Sequence, residues 1–179
     1  TKTSKNSPLL KNKKHINIPN PIDTNIFKPF SKYKARDLWG LPKSKKLVLF
    51  GAIGATSDPR KGFKELNESM DSLKNKDIEF VVFGSDKPKE SQKLKFKTHY
   101  LGHLYDDISL VALYSSVDVM VVPSLQEAFG QTASEAMSCG IPVVAFNTTG
   151  LMDIVDHKKN GYLAKPFKAD DLAIGIEWV

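Results

Sequence analysis

Cysteine is nearly absent from this sequence: Cys139 is the only one in 179 residues, which excludes an internal disulfide and any multi-cysteine metal site. So little thiol chemistry is expected of a protein kept in a reducing, cytosolic setting. No apolar run approaches the roughly 18–20 residues that span a bilayer, and the opening TKTSKNSPLLKNKKH lacks the apolar centre of a signal peptide. Repeats and low-complexity tracts are missing too. The first residue is not Met, and the last stretch, DLAIGIEWV, is an apolar-periodic run without a C-cap; both ends are expected of a segment of a longer protein.

What is present is a hydrophobic content of 41%, enough for a real core in what is most simply one domain. The charge is unevenly spread. Residues 1–46 hold 12 of the 26 basic and 2 of the 20 acidic residues, so this arm carries +10 and the remainder −4. Such an arm could lie on anionic lipid, on nucleic acid or on an acidic domain, or form a solvated lysine-rich surface. No aromatic stacking pattern accompanies the lysines, and no nucleic acid is expected as a partner.

From Lys46 onward short β-branched runs alternate with amphipathic ones. The stretches 46–52, 78–84, 117–123 and 141–146 read as strands buried on both faces, with shorter strands at 99–102 and, after an Asn160-Gly161 turn, at 161–164. The stretches 62–73, 107–117 and 129–140 have helical spacing, the last with Gly140 placed to end it, and a final helix begins in KADDLAIGIEWV. This βαβ alternation predicts an α/β, Rossmann-like parallel sheet with helices on both faces. Residues 1–30 read differently: HINIPNPIDTNIFKPF suggests a strand end and a stiff, proline-rich connector. The division is therefore 1–30 as the end of a preceding domain and its linker, and 31–179 as the Rossmann-like domain. The KLKFK run at 93–97 reads as a lysine-guarded edge segment.

In an open parallel sheet ligands bind beyond the carboxyl ends of the strands, so the loops that follow the strands carry the candidates. The loop from Gly51 to Gly62 fits neither G-x-G-x-x-G nor G-K-[ST], but it places Arg60 and Lys61 at the threshold of a helix. There, cations and unpaired N–H groups can hold a diphosphate; a solvated basic turn is the other reading. In QEAFGQTASEAMSCG (126–140) the helix opens at Phe129-Gly130-Gln131-Thr132, and Gly130 lets a phosphate approach the backbone closely. Glu127 precedes that helix and Glu135 lies one turn inside it. Two such carboxylates suit a sugar and the vicinal hydroxyls of a ribose; alternatively Glu127 caps the helix and Glu135 faces solvent. Among smaller features, His103 beside a Gly turn and His157 in an exposed turn read as structural, Cys139 as a small core residue, and Thr148-Thr149-Gly150, at the functional edge, as a plain helix N-cap ahead of a contact to the donor.

The form E-x-F-G-x-x-x-x-E-A-M followed by PVVAF, together with IPNPIDTNIFKP, DPRKGF, YLGHL and GLMDIVDHKKNGYL in that order, resembles the C-terminal, donor-binding domain of family 4 retaining glycosyltransferases of the GT-B fold. The resemblance covers residues 15–179. It implies a nucleotide-sugar donor, UDP- or GDP-linked, bound as substrate with no cofactor. It implies that Lys61, with Arg60, and the amides of Gln131 and Thr132 hold the diphosphate, that Glu135 holds the ribose, and that His103 and Leu104 meet the base. Glu127, with the amides around Phe129 and Gly130, is implied at the transferred sugar. GLMDIVDHKKNGYL corresponds to the family's next helix and hairpin. Many members carry Arg where this sequence has Ala52, and Arg60 is the expected replacement. No D-x-D occurs, so a metal-independent hexosyltransferase is implied. Its acceptor, a growing polysaccharide or a lipid-linked glycan, would sit on a preceding domain, and the enzyme would be cytoplasmic, with peripheral membrane contact. The alternatives are a nucleotide-sugar epimerase of the same fold and a non-catalytic nucleotide-binding module.

Overall fold

In this computed structural model, residues 5–16, 18–51, 53–54, 56–75, 77–85 and 94–179 are described. Six strands form one sheet: β1 (Lys46–Gly51), β2 (Ile78–Phe83), β3 (Thr98–Tyr100), β4 (Val119–Val122), β5 (Val143–Phe146) and β6 (Gly161–Ala164). All neighbours are parallel, in the order β3-β2-β1-β4-β5-β6. The chain winds outward from β1 to β3, then returns to lay β4 on the other side of β1. That reversal puts the switch point, where such sheets open a crevice for ligand, between the carboxyl ends of β1 and β4.

Among the described residues five α-helices complete the layers: α1 (Lys32–Leu38), α2 (Phe63–Ser69), α3 (Asp107–Ser116), α4 (Gln131–Ser138) and α5 (Ala169–Trp178). Strand side chains alternate between two cores. Leu47 and Leu49 of β1 pack with Leu113, Tyr114, Ala133 and Ala136 on the face of α3 and α4. Val48 and Phe50 pack with Leu66, Met70, Leu172 and Ile176 on the face of α2 and α5. Burial on both faces is why these strands read as continuous apolar runs.

Helix ends follow their local chemistry. Asp106 caps α3 by accepting the Ser109 N–H at 2.8 Å. At the end of α4, Ile141 N–H reaches back to Ala136 O and Gly140 N–H to Met137 O, with Gly140 at φ 81°, a left-handed close that favours glycine.

Three expectations need correction. Helix α1 was not anticipated, because KYKARDL has no apolar stripe; its inward face is Ala35 and a buried Arg36. The helix and hairpin implied for GLMDIVDHKKNGYL take another form: the helix is a 3-10 turn over Thr149–Asp153, only an isolated bridge joins His157 to Gly161, and β6 pairs with β5 in parallel. The proline-rich connector holds no strand end at its start among the described residues. It docks instead through buried Phe27 and through the Phe30 N–H, which donates to Ser115 Oγ at 3.1 Å. Ala52, Lys93 and most of the loop after β2 lie outside the described residues.

Candidate active site

The loops that leave β1 and β4 meet at the switch point. Gly62 sits at φ 73°, and a Cβ there would lie 1.9 Å from the Pro123 carbonyl oxygen, so only glycine permits this approach. Leu125 N–H donates to Arg60 O at 2.8 Å and ties the same two loops together. This backbone contact brings Lys61 and Glu127, 66 residues apart, into an ion pair with Nζ to Oε2 at 2.9 Å. Both side chains are about four-fifths shielded from solvent, at 24% and 19% exposure. Ser124 Oγ adds a longer hydrogen bond to the same carboxylate oxygen at 3.4 Å.

Glu127 does not cap α4. The cap position is Gly130, in the left-handed region at φ 95°, which offers no side chain to the helix start. The first-turn amides, those of Gln131 and Thr132 among them, have no carbonyl partner within the helix, as at any helix start. Gly130 is needed for a second reason: a Cβ there would meet Leu151 Cδ2 at 2.8 Å.

Glu135 is not a solvent-facing residue. It is 9% exposed, and Tyr114, fully buried on α3, donates its hydroxyl to Oε2 at 2.7 Å. Burial pushes the Glu135 carboxyl above the usual carboxylate range, opposed by the bonds from Tyr114 and the Gln131 side chain. Burial and the facing carboxylate likewise raise the Tyr114 phenol. A carboxylate held this way, one turn into α4, is poorly solvated and gains from new hydrogen-bond donors.

Arg60 and Lys61 are neighbours with different surroundings. Arg60 folds back on Asp58, with Nη2 to Oδ2 at 2.8 Å and Nε to Oδ1 at 3.1 Å, and is 71% exposed. The Arg60 side chain and N–H together hold the Asp58 carboxyl below its ordinary range. Of the two cations, Lys61 is the one paired with Glu127. His103 is exposed on the turn after β3, its ring stacked on Tyr105 at 6.2 Å between centroids, while Leu104 packs against the core. Phe129 and Thr132 are half-buried, and Gln131 is exposed. The loops after β1, β2 and β3 are laced together by Gly54 N–H to Gly84 O at 2.9 Å and Gly84 N–H to Gly102 O at 2.8 Å.

Tyr114 and Ser124 are not among the residues that the sequence singles out. Tyr114 sits in an apolar helix where only the fold turns it toward Glu135. Thr148 stands at the N-cap of the 3-10 turn, as expected of this segment, and Thr149 in addition accepts the Glu127 N–H on Oγ1 at 3.0 Å. Two concavities of about 460 and 420 Å³ lie elsewhere, at the amino ends of the strands around Glu79 and Asp118, where this fold does not bind ligands. Among the described residues no group of three or more His, Cys, Asp and Glu is placed to hold a metal, and no helix is long and apolar enough to cross a membrane.

Comparison with known proteins matches residues 33–179 to the family model of glycosyl transferases group 1. An uncharacterized glycosyltransferase of Methanocaldococcus jannaschii is 32% identical, over 97% of this chain and 46% of the relative. D-inositol 3-phosphate glycosyltransferase of Paenarthrobacter aurescens is 29% identical, over 89% and 41%. Among solved structures, sucrose-phosphate synthase from Thermosynechococcus elongatus superposes with TM-score 0.75 at 30% identity, over 89% of this chain and 42% of that one. HepE of Anabaena, solved with UDP-glucose, gives 0.71 at 25% identity, over 88% and 45%. The chain thus spans less than half the length of each.

Proposed function

The chain belongs to the group 1 glycosyl transferases, and from that premise we propose that it is the C-terminal, donor-binding half of a retaining, metal-independent family 4 enzyme. In this reading residues 1–30 enter from the preceding domain, which carries the acceptor, a growing polysaccharide or lipid-linked glycan. The enzyme works in the cytoplasm or at its membrane face. The donor is a UDP- or GDP-linked hexose; the UDP-glucose complex of HepE makes a UDP-sugar the first to try.

One observation carries the reading: the Lys61–Glu127 pair, 2.9 Å apart, at the switch point that also bears the uncapped start of α4. When the bond between the anomeric carbon and the phosphate breaks, negative charge grows on the diphosphate while the ring becomes oxocarbenium-like. Lys61 and the α4 amides meet the first change. A charged hydrogen bond is worth about 1.5–3 kcal/mol and a helix end about 0.3–2; realised mainly in the transition state, the first is about one or two tenfold factors and the second about 2- to 30-fold. Glu127 meets the second, through the sugar hydroxyls or the developing positive charge. Glu135, already short of solvent, takes the ribose hydroxyls, and His103 and Leu104 border the base. Arg60 joins the diphosphate only by leaving Asp58.

The Lys61–Glu127 pair also implies an exchange of partners on donor entry. A diphosphate competes with Glu127 for Lys61, so donor entry exchanges one ion pair for another and frees Glu127 for the sugar. A thermal-shift screen of UDP-, GDP- and ADP-sugars tests the reading. At a hundred times its Kd the true donor stabilises the fold by about 2.7 kcal/mol, a rise of several degrees. No shift with any of them sinks it.

A further inference from the structure

Thr149 stands on the segment after β5, at the same edge of the sheet as Glu127. Its φ is 51°, and among the described residues it is one of three non-glycine residues at positive φ, with Lys158 and Phe167. A β-branched residue there carries a steric penalty that glycine escapes, and such strain persists where the surroundings hold it in place, often at functional sites. Two bonds form from this segment to a single residue. Thr149 Oγ1 accepts the Glu127 N–H at 3.0 Å, and Gly150 N–H donates to the Glu127 carbonyl at 3.0 Å. Both polar groups of the Glu127 backbone are thereby held by consecutive residues. The fit is tight, since a Cβ at Gly150 would lie 2.4 Å from Ala128 O. Glycine at 149 would relieve the backbone and remove the acceptor.

We propose that Thr149 is a positioning residue for Glu127: its hydroxyl fixes the Glu127 peptide, and so aims the carboxylate into the cleft, at the expense of a strained backbone. This inference rests on the reading of Glu127 as the group that meets the transferred sugar. It requires the hydroxyl at 149 and no particular property of the methyl.

The test uses the intact protein that contains this chain, with Thr149→Ser, Thr149→Val and Thr149→Gly compared by melting temperature and by titration of UDP and UDP-glucose, or of the corresponding pair if the screen finds another donor. The loss of one neutral hydrogen bond corresponds to roughly a 2- to 10-fold change. Thr149→Gly is expected to melt at or above the wild-type temperature, yet to weaken the nucleotide sugar by that factor while UDP affinity is kept. Thr149→Val gives the same loss of discrimination, and Thr149→Ser restores it. Equal weakening of UDP and UDP-glucose together with a lower melting temperature overturns the proposal in favour of a plain structural turn, as does wild-type discrimination in both Thr149→Gly and Thr149→Val. A wild-type protein that binds no nucleotide and no nucleotide sugar overturns the reading of the site and this inference with it.

Discussion

Replacing Glu127 by Ala in the intact enzyme lowers sugar transfer roughly ten- to a hundredfold while leaving nucleoside diphosphate affinity unchanged or somewhat higher. The first half follows from removing a charge-assisted contact to the sugar, worth about 1.5–3 kcal/mol if it acts in the transition state. The second half follows from the ion pair. With Glu127 gone, Lys61 has no carboxylate at 2.9 Å to give up, so a diphosphate reaches it without competition. A transfer assay beside calorimetric titration separates the two effects. A parallel loss of binding and transfer would mean that Glu127 shapes the pocket and does not meet the sugar; a non-catalytic binding module would have no transfer to lose.

Removing Arg36 destabilises the fold by about 3–5 kcal/mol, the range for breaking a buried charge pair. Arg36 is 5% exposed, and its guanidinium is the hub that joins α1 to the amino ends of β1 and β4. It donates to Ser116 O at 2.8 Å, to Pro42, Lys43 and Lys45 carbonyls at 3.2, 2.9 and 3.1 Å, and to Asp118 Oδ2 at 2.7 Å. Burial works against the Asp118 carboxylate, but the Leu47 N–H, Lys32 and Arg36 together hold its pKa below the ordinary value. Alanine at 36 strands four carbonyls and weakens that carboxylate's compensation. At roughly 2–4 °C per kcal/mol for a chain of this size, the melting temperature falls by about 10 °C, and Arg36→Lys recovers little because an ammonium cannot span the fork. A loss below about 1 kcal/mol in urea melts would contradict this. The hub lies at the sheet edge opposite the cleft, so nucleotide affinity of the folded variant stays as in the wild type.

The strands were legible because a parallel sheet covered on both faces leaves an unbroken β-branched run, as in KLVLFG and IEFVVF. Helix α1 was not, since its packing rests on Arg36, and no hydrophobic period reveals a buried guanidinium. Asn160-Gly161 resembles a hairpin turn, yet the segment before it packs as a 3-10 turn with buried Leu151 and leaves no partner strand. In the site, the positions of Lys61 and Glu127 could be read from the loops that bear them, but their contact depends on Gly62 meeting Pro123 across 61 residues. Whether Glu135 faced solvent depended on Tyr114 from another helix. The surroundings of Arg60 could not be read from the basic pair alone: Asp58, two residues before it, takes up its guanidinium.

The central claim is that the donor diphosphate lies on Lys61 at the switch point. The measurement that tests it most directly is calorimetric titration of UDP, GDP and ADP into the wild type, Lys61→Ala and Arg60→Ala. The account predicts that the preferred nucleotide binds Lys61→Ala at least tenfold more weakly, both from the lost charged bond and from an unneutralised Glu127 beside the phosphates. Arg60→Ala, whose charge is already engaged by Asp58, changes affinity by less than about threefold. Equal affinity of wild type and Lys61→Ala, or binding of none of the three nucleotides, would contradict it.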